Sequence, residues 1–142
     1  MTKKVLFYED KFPISINLVE TEEIYTDWHK ELKILYFLKG NTLVDLNKQK
    51  IICENDDFVL INSYELSNVQ TQPLEKSLIL EFLIDGNFIN RLYPNFSFMQ
   101  FSCNSKNENI SYNKFENIRY ILYKFIKFSL EINYYWLIRF CL

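Results

Sequence analysis

The apolar residues of this 142-residue chain follow two different rhythms, and the change between them limits the fold more than any other feature. Up to about residue 103 they come in short runs rich in Ile, Leu, Phe, Tyr and Val, separated by Asn, Asp and Lys. From residue 112 onward they recur three or four apart. Ile14-Ser15-Ile16-Asn17-Leu18 alternates as a half-buried strand does. Ile34 to Leu38 is apolar throughout, with Leu35 and Phe37 on one face and Ile34, Tyr36 and Leu38 on the other. Such a strand needs a sandwich or barrel interior on one side and a covering layer on the other. Thr42 to Leu46, Ile51 to Cys53, Phe58 to Ile61, Ser77 to Ile84 and Phe96 to Phe101 read as further strands. Asn47-Lys48 supplies a hairpin turn, and Asn55-Asp56-Asp57 another. About seven or eight short strands at this spacing predict a mainly β fold, an antiparallel barrel or jelly roll.

The tail has helical periodicity. Phe115, Ile118, Leu122, Phe125, Ser129 and Ile132 form one stripe, with Lys114, Lys124 and Lys127 off it. Glu131 to Asn133 is expected to break the helix and Tyr134 to Leu142 to begin a second, giving an antiparallel helix pair. Asn104 to Asn109 is polar throughout and is expected to be a connecting loop. The organisation read from the chain is therefore a β region over 1–103, a linker over 104–111 and helices over 112–142. The last residues, Phe140-Cys141-Leu142, carry no polar cap, so the natural chain is expected to continue.

Composition removes several functions. Sixteen Lys and Arg stand against eighteen Asp and Glu, without the clustered positive surface that phosphate neutralisation needs. With only Gly40 and Gly86 there is no glycine-rich phosphate loop. His29 is the single histidine, which excludes a multi-histidine metal site. Cys53, Cys103 and Cys141 are odd in number and lack C-x-x-C spacing, so they read as free thiols of a reducing cytosol. The apolar stretch after Met1 is too short for a signal peptide, and no apolar run is long enough for a membrane helix. A soluble, cytoplasmic protein is expected.

The segment from Asp27 to Gly40 resembles the first signature of the cupins, and more narrowly that of the amino-terminal sensing domain of AraC-type transcription regulators. Asp57-Phe58-Val59-Leu60-Ile61-Asn62, followed by Glu65-Leu66, is similar to the second signature of that domain. Phe12-Pro13 stands where these regulators carry a Phe-Pro pair entering the barrel. The tail is similar to their dimerising helix pair. The resemblance implies a cupin-like β-barrel that senses a small molecule, a homodimer formed through the helices, and DNA contact through a separate carboxy-terminal helix-turn-helix domain, which these residues lack.

Metal-binding cupins carry ligands at the positions that here hold Asp27, His29, Lys33 and Ser67. Only His29 is an ordinary ligand, and a lysine ammonium repels a cation. No metal, cofactor or catalytic role is expected. The four residues are instead the candidate effector site. Lys33 can replace the metal's positive charge and pair with Asp27, bind an acidic group of a ligand, or snorkel to solvent; the last is the preferred reading. His29 is expected to be structural, hydrogen-bonded to Glu31 or Asp27, and Trp28, Tyr36 and Phe37 are assigned to the core. Glu22-Glu23 and Asp56-Asp57 are carboxylate pairs but not catalytic dyads, because adjacent strand residues point to opposite faces; they read as solvated turns. Tyr120, Ile121, Phe128 and Trp136 are candidates for the dimer contact, lying beside the main helical stripe. The alternatives are a stand-alone cupin enzyme with a degenerate metal site, and an interaction module whose barrel is filled by its own side chains.

Overall fold

A computed structural model describes residues 1–46, 49–73, 75–106 and 112–141, with the side chains of residues 112 and 132–141 outside the described set. Among the described residues there are nine strands: β1 (Thr2–Phe7), β2 (Ile14–Thr21), β3 (Ile24–Asp27), β4 (Leu32–Lys39), β5 (Thr42–Leu46), β6 (Gln49–Cys53), β7 (Phe58–Ile61), β8 (Ser67–Thr71) and β9 (Ser77–Ile84). They form two antiparallel sheets, one in the order β1-β2-β9-β4-β7 and the other in the order β3-β8-β5-β6. A short helix α1 (Gly86–Leu92), a 3₁₀ turn (Phe96–Phe98) and a long helix α2 (Tyr112–Cys141) follow.

The two sheets pack face to face. Leu35, Phe37 and Ile79 from the larger sheet meet Val44, Ile51 and Val69 from the smaller in one buried cluster. The other face of the larger sheet is covered by α2, whose Phe115 and Leu122 pack with Phe58, Leu80 and Phe82. Phe115 meets the Phe58 ring edge-on at 5.6 Å. The larger sheet is thus apolar on both sides, which explains why β4 and β9 lack alternation. Leu35 and Phe37 do face the opposing sheet, and Ile34 and Tyr36 face the helix. Leu38 lies on the helix-side parity but is exposed.

Four expectations need correction. No strand pairing joins the two sheets among the described residues, so the molecule is an open two-layer sandwich rather than a closed barrel. The tail is one helix of 30 residues rather than a pair. It contains neither Gly nor Pro, and the propensity costs at Glu131 to Asn133 are each a fraction of a kcal/mol, too little to stop a helix. Phe96 to Phe101 is not a strand: Asn95 takes a left-handed backbone (φ 76°) and starts the 3₁₀ turn. Asn104 is buried and bridges to Val59 at the edge of β7, so the polar connection begins as part of the sheet. The expected hairpin residues 47 and 48 and the linker residues 107–111 lie outside the described residues. The flanking strands β5 and β6 nevertheless pair with Leu46 opposite Gln49.

Candidate functional site

The register of the sheets brings the sequence candidates together at one end of the sandwich. Lys33 shares the inward parity of Leu35 and Phe37 on β4. On the neighbouring β9, Glu81 lies inward next to Ile79, opposite Asn17 of β2 on one side and Leu35 on the other. From the facing sheet, Asp27 at the end of β3 stands opposite Ser67 at the start of β8, and Tyr25 stands opposite Val69.

Lys33 does not reach solvent. Its side chain is 2% exposed, and its Nζ lies 2.9 Å from Glu81 Oε2 while also pairing with Asp27 Oδ2. The preference for a snorkelling lysine is thus overturned. The inward parity leaves the stem no route out, and two carboxylates compensate the buried charge. Glu81 is 1% exposed; its Oε1 accepts from Asn17 Nδ2 at 2.9 Å and pairs with Lys3 Nζ from β1. Burial pushes the carboxyl groups of Asp27 and Glu81 up, but the Lys33 ammonium outweighs it and holds both below their usual range. Lys3 adds to the effect on Glu81.

His29 is held as expected, with Glu31 supplying a backbone carbonyl rather than its carboxylate: Nδ1 lies 2.6 Å from Glu31 O. A carbonyl only accepts, so Nδ1 carries the proton and Nε2 keeps its lone pair. Burial, then the nearby Lys33 charge, lowers the His29 pKa and favours this neutral form. Its Nε2, the Tyr25 hydroxyl and Ser67 Oγ are all shielded from solvent with no hydrogen-bond partner among the described residues. Burial raises the Tyr25 phenol far above its ordinary range, with Glu81 and Asp27 adding to the shift, so it remains a proton donor.

The donors do not fit a metal ion. The position that would need a carboxylate ligand holds a lysine already engaged by two anions. No group of three His, Cys, Asp or Glu side chains able to hold a metal occurs among the described residues.

Glu81, Tyr25, Asn17 and Lys3 were missing from the sequence reading. Glu81 left a trace, a single charge inside the apolar run from Leu78 to Ile84. Tyr25, Asn17 and Lys3 are ordinary strand residues whose role depends on pairing register. Trp28 leaves the core it was assigned to: it is 59% exposed and packs on Tyr64 at 5.4 Å between ring centroids. Asp57 is not a solvated turn residue but is buried, accepting from Glu54 N and Ser105 Oγ, each at 2.8 Å. Cys53 is a buried free thiol pushed up to about 12 by burial, and Cys103 is half-buried and free. The Cys141 side chain lies outside the described residues.

No model of a known protein family matches the chain, and no curated protein matches it in sequence. Solved structures do match. The cupin domain of Schizosaccharomyces pombe Cnp3 aligns over 63% of this chain and 68% of its own, with TM-score 0.56 and 13% identity. A cupin-like protein of Thermotoga maritima aligns over 60% and 68%, with TM-score 0.55 and 16% identity. The EutQ protein of Clostridium difficile aligns over 60% and 68%, at 0.52 and 13%. Over the aligned part the fold is cupin-like. At these identities the likeness concerns the fold, not the chemistry. In this fold Asp27 pairs with Lys33 and stands opposite Ser67, with His29 close enough to feel the Lys33 and Asp27 charges. Among the described residues, no helix is long and apolar enough to cross a membrane.

The dimer candidates lie on α2. Tyr120, Ile121 and Phe128 are exposed, at 60%, 52% and 46%. The Trp136 side chain lies outside the described residues.

Proposed function

We propose that this chain is the effector-sensing and dimerisation domain of an AraC-type transcription regulator, a cytoplasmic protein without catalytic activity of its own. The observation that carries the reading is the buried polar cluster at the end of the sandwich. Three groups there, Tyr25 Oη, His29 Nε2 and Ser67 Oγ, are withdrawn from water around the Lys33 charge without partners among the described residues. Unpaired buried polar groups cost about 1–3 kcal/mol each, so a small molecule that completes them is favoured there. Lys33 is already neutralised by Asp27 and Glu81, which favours a hydrogen-bonding effector over the acidic ligand considered from sequence. An effector bridging β3, β4 and β8 would shift the population of sandwich and helix arrangements. DNA contact would belong to a separate domain.

The packed apolar cluster beneath the site favours the second reading, an interaction module that binds nothing inside. Against a stand-alone enzyme stands the donor set: among the described residues it offers no group of metal ligands, and Ser67 Oγ and His29 Nε2 are not hydrogen-bonded to each other. The test fuses the chain to a DNA-binding domain that needs dimerisation to hold a two-site operator, with a reporter downstream. Operator occupancy that depends on the fused chain and responds to a small-molecule screen supports the sensor. Occupancy that depends on the chain but not on any compound, together with no thermal shift in the same screen, favours the module. Occupancy no greater than for the DNA-binding domain alone refutes the dimerising regulator.

A further inference from the structure

A second concave surface lies outside the buried cluster. A cleft of about 370 Å³ opens between the β7–β8 turn, the start of α1 and the 3₁₀ turn, with Lys30 from the β3–β4 connection at its side. Its walls are fixed. The Asn62 side chain bonds the Phe101 backbone in both directions at 2.8 Å, and Asn90 Oδ1 accepts from Ser97 N at 3.2 Å. Phe96 is buried and stacked on Phe101. Against this framework Phe98 stands 87% exposed, with Met99 and Tyr64 also in solvent. Tyr64 is held out by a left-handed backbone, φ 61°, and its N–H donates to His29 O at 2.8 Å. Aromatic residues seldom adopt that conformation without a constraint.

The polar groups of the cleft carry the argument. Lys30 and Asp85 both line it, yet among the described residues neither takes part in an ion pair. Asp85 uses one oxygen to cap α1, accepting from Asn87 N at 3.0 Å. Ser63 Oγ is shielded from solvent and without a partner among the described residues. One cation, one anion, a donor hydroxyl and an uncovered aromatic floor thus share a single small cleft.

We propose that this cleft binds a free α-amino acid with an apolar or aromatic side chain. The α-carboxylate meets Lys30 and the Ser63 hydroxyl, the α-ammonium meets Asp85, and the side chain lies over Phe98 and Met99. An anionic ligand would face Asp85 uncompensated, and a cationic one would face Lys30. A purely apolar ligand would desolvate both charges without replacing their water. The volume sits at the lower end of the range for small-molecule sites, about 300–1,000 Å³, which suits one amino acid rather than a peptide. The assignment is independent of the regulator reading and of the Lys33 cluster.

Calorimetry with L-phenylalanine and L-leucine tests it, with the fluorescence of Trp28, packed on the rim residue Tyr64, as a second readout. Binding is expected for both, and about tenfold or more weaker binding for 3-phenylpropionate, 2-phenylethylamine and glycine, each of which lacks one element. Lys30→Gln is expected to weaken L-phenylalanine about tenfold and to abolish the preference over 2-phenylethylamine. Asp85→Asn, which preserves helix capping, should do the same for the preference over 3-phenylpropionate. The proposal is overturned if neither amino acid binds at about 10 mM. It is equally overturned if 3-phenylpropionate or 2-phenylethylamine binds as well as L-phenylalanine, or if the two variants leave affinity unchanged while circular dichroism shows them folded.

Discussion

Lys33 on β4 and Glu81 on β9, adjacent strands of the larger sheet, lie 2.9 Å apart on the face toward the smaller sheet, both almost wholly withdrawn from water. They are diagonal neighbours: Lys33 stands opposite Leu83, two residues along β9 from Glu81 on the same face. Removing Lys33 leaves the buried Glu81 Oε2 without its partner, while Oε1 keeps Asn17 and Lys3. Lys33→Met is therefore expected to cost about 3–5 kcal/mol in urea unfolding. Asp27→Asn should cost less, about 1 kcal/mol, because Asp27 is partly exposed and Lys33 keeps Glu81. The double variant Lys33→Met, Glu81→Leu should recover most of the loss, since Asp27 and Lys3 can both reach solvent. A Lys33→Met protein as stable as wild type would show that the pair is not held as described.

The same cluster fixes how stability responds to acid. Glu81 and Asp27 have folded-state pKa values below their unfolded ones, so their contribution is present above the unfolded carboxylate range near 4 and is lost as pH falls through the folded values. His29 is also lowered in the folded state; the unfolded chain takes up its proton first, so stability begins to fall as pH drops below about 6.5. Denaturation midpoints measured from pH 8 to pH 3 should fall in two stages. His29→Asn should remove the upper stage and leave the lower one. A midpoint that rises between pH 7 and pH 5 in the wild type would contradict the neutral, buried imidazole.

How much of this could be read from the chain depended on which side of the fold a residue serves. β4 and β9 were legible because their sheet is covered on both faces and they read as apolar runs, Ile34 to Leu38 in β4 and Leu78 to Ile84 with the one charge of Glu81 in β9. The smaller sheet has one face in solvent, so β3 and β8 contribute few inward apolar residues: β8 is Ser-Asn-Val-Gln-Thr, with Val69 alone in the core cluster. Neither was foreseen. The stripe on α2 was legible through Ser129, which is buried and bonds Ile126 O at 2.7 Å. At the site, the spacing from Asp27 through His29 to Lys33 located the cluster, but the partner that decides Lys33's fate, Glu81, comes from a strand 48 residues on (81 − 33). Register between strands this far apart is set by the turns and buried faces of the whole sheet, so the residues around Lys33 do not by themselves name its partner.

Gly40 ends β4 with φ +97°, and a Cβ there would stand 2.7 Å from Ser77 Oγ and 2.8 Å from the Lys76 carbonyl. The carbonyl is backbone and cannot swing aside. Ser77 is itself buried, its hydroxyl 2.6 Å from Thr42 Oγ1. Gly40→Ala is expected to destabilise by about 2–3 kcal/mol, combining left-handed strain with overpacking. Gly86→Ala is the control. It begins α1, an added Cβ meets only the Lys30 carbonyl at 4.0 Å, and the change should be neutral or slightly stabilising. Equal effects at the two glycines would refute the close approach at Gly40.

The last prediction concerns what α2 does with the face it does not use. At 30 residues the helix is about 45 Å long, and its inward stripe is already satisfied by the sheet over Phe115, Ile118, Leu122 and Phe125. Tyr120 and Ile121 lie beside that stripe and remain in solvent, as do Tyr123, Phe128 and Leu130. Apolar side chains in that number along one helix mark a partner surface, and a two-fold pairing of identical copies is the commonest way to cover one. Tyr120→Glu is the cleanest variant, since Ile121 also lines an apolar groove with Ile14 and Phe82, and Phe128 also meets Phe7 at 6.3 Å. In sedimentation at tens of micromolar, roughly the range where weak interfaces report, the wild-type chain should be dimeric. Tyr120→Glu and Phe128→Glu should each shift it toward monomer by about tenfold or more in dissociation constant, with the strand signal in circular dichroism unchanged. A wild-type chain that is monomeric under those conditions would leave α2 as a cover for the sheet and remove the dimer from the proposed function, while leaving the buried cluster and the cleft at Phe98 untouched.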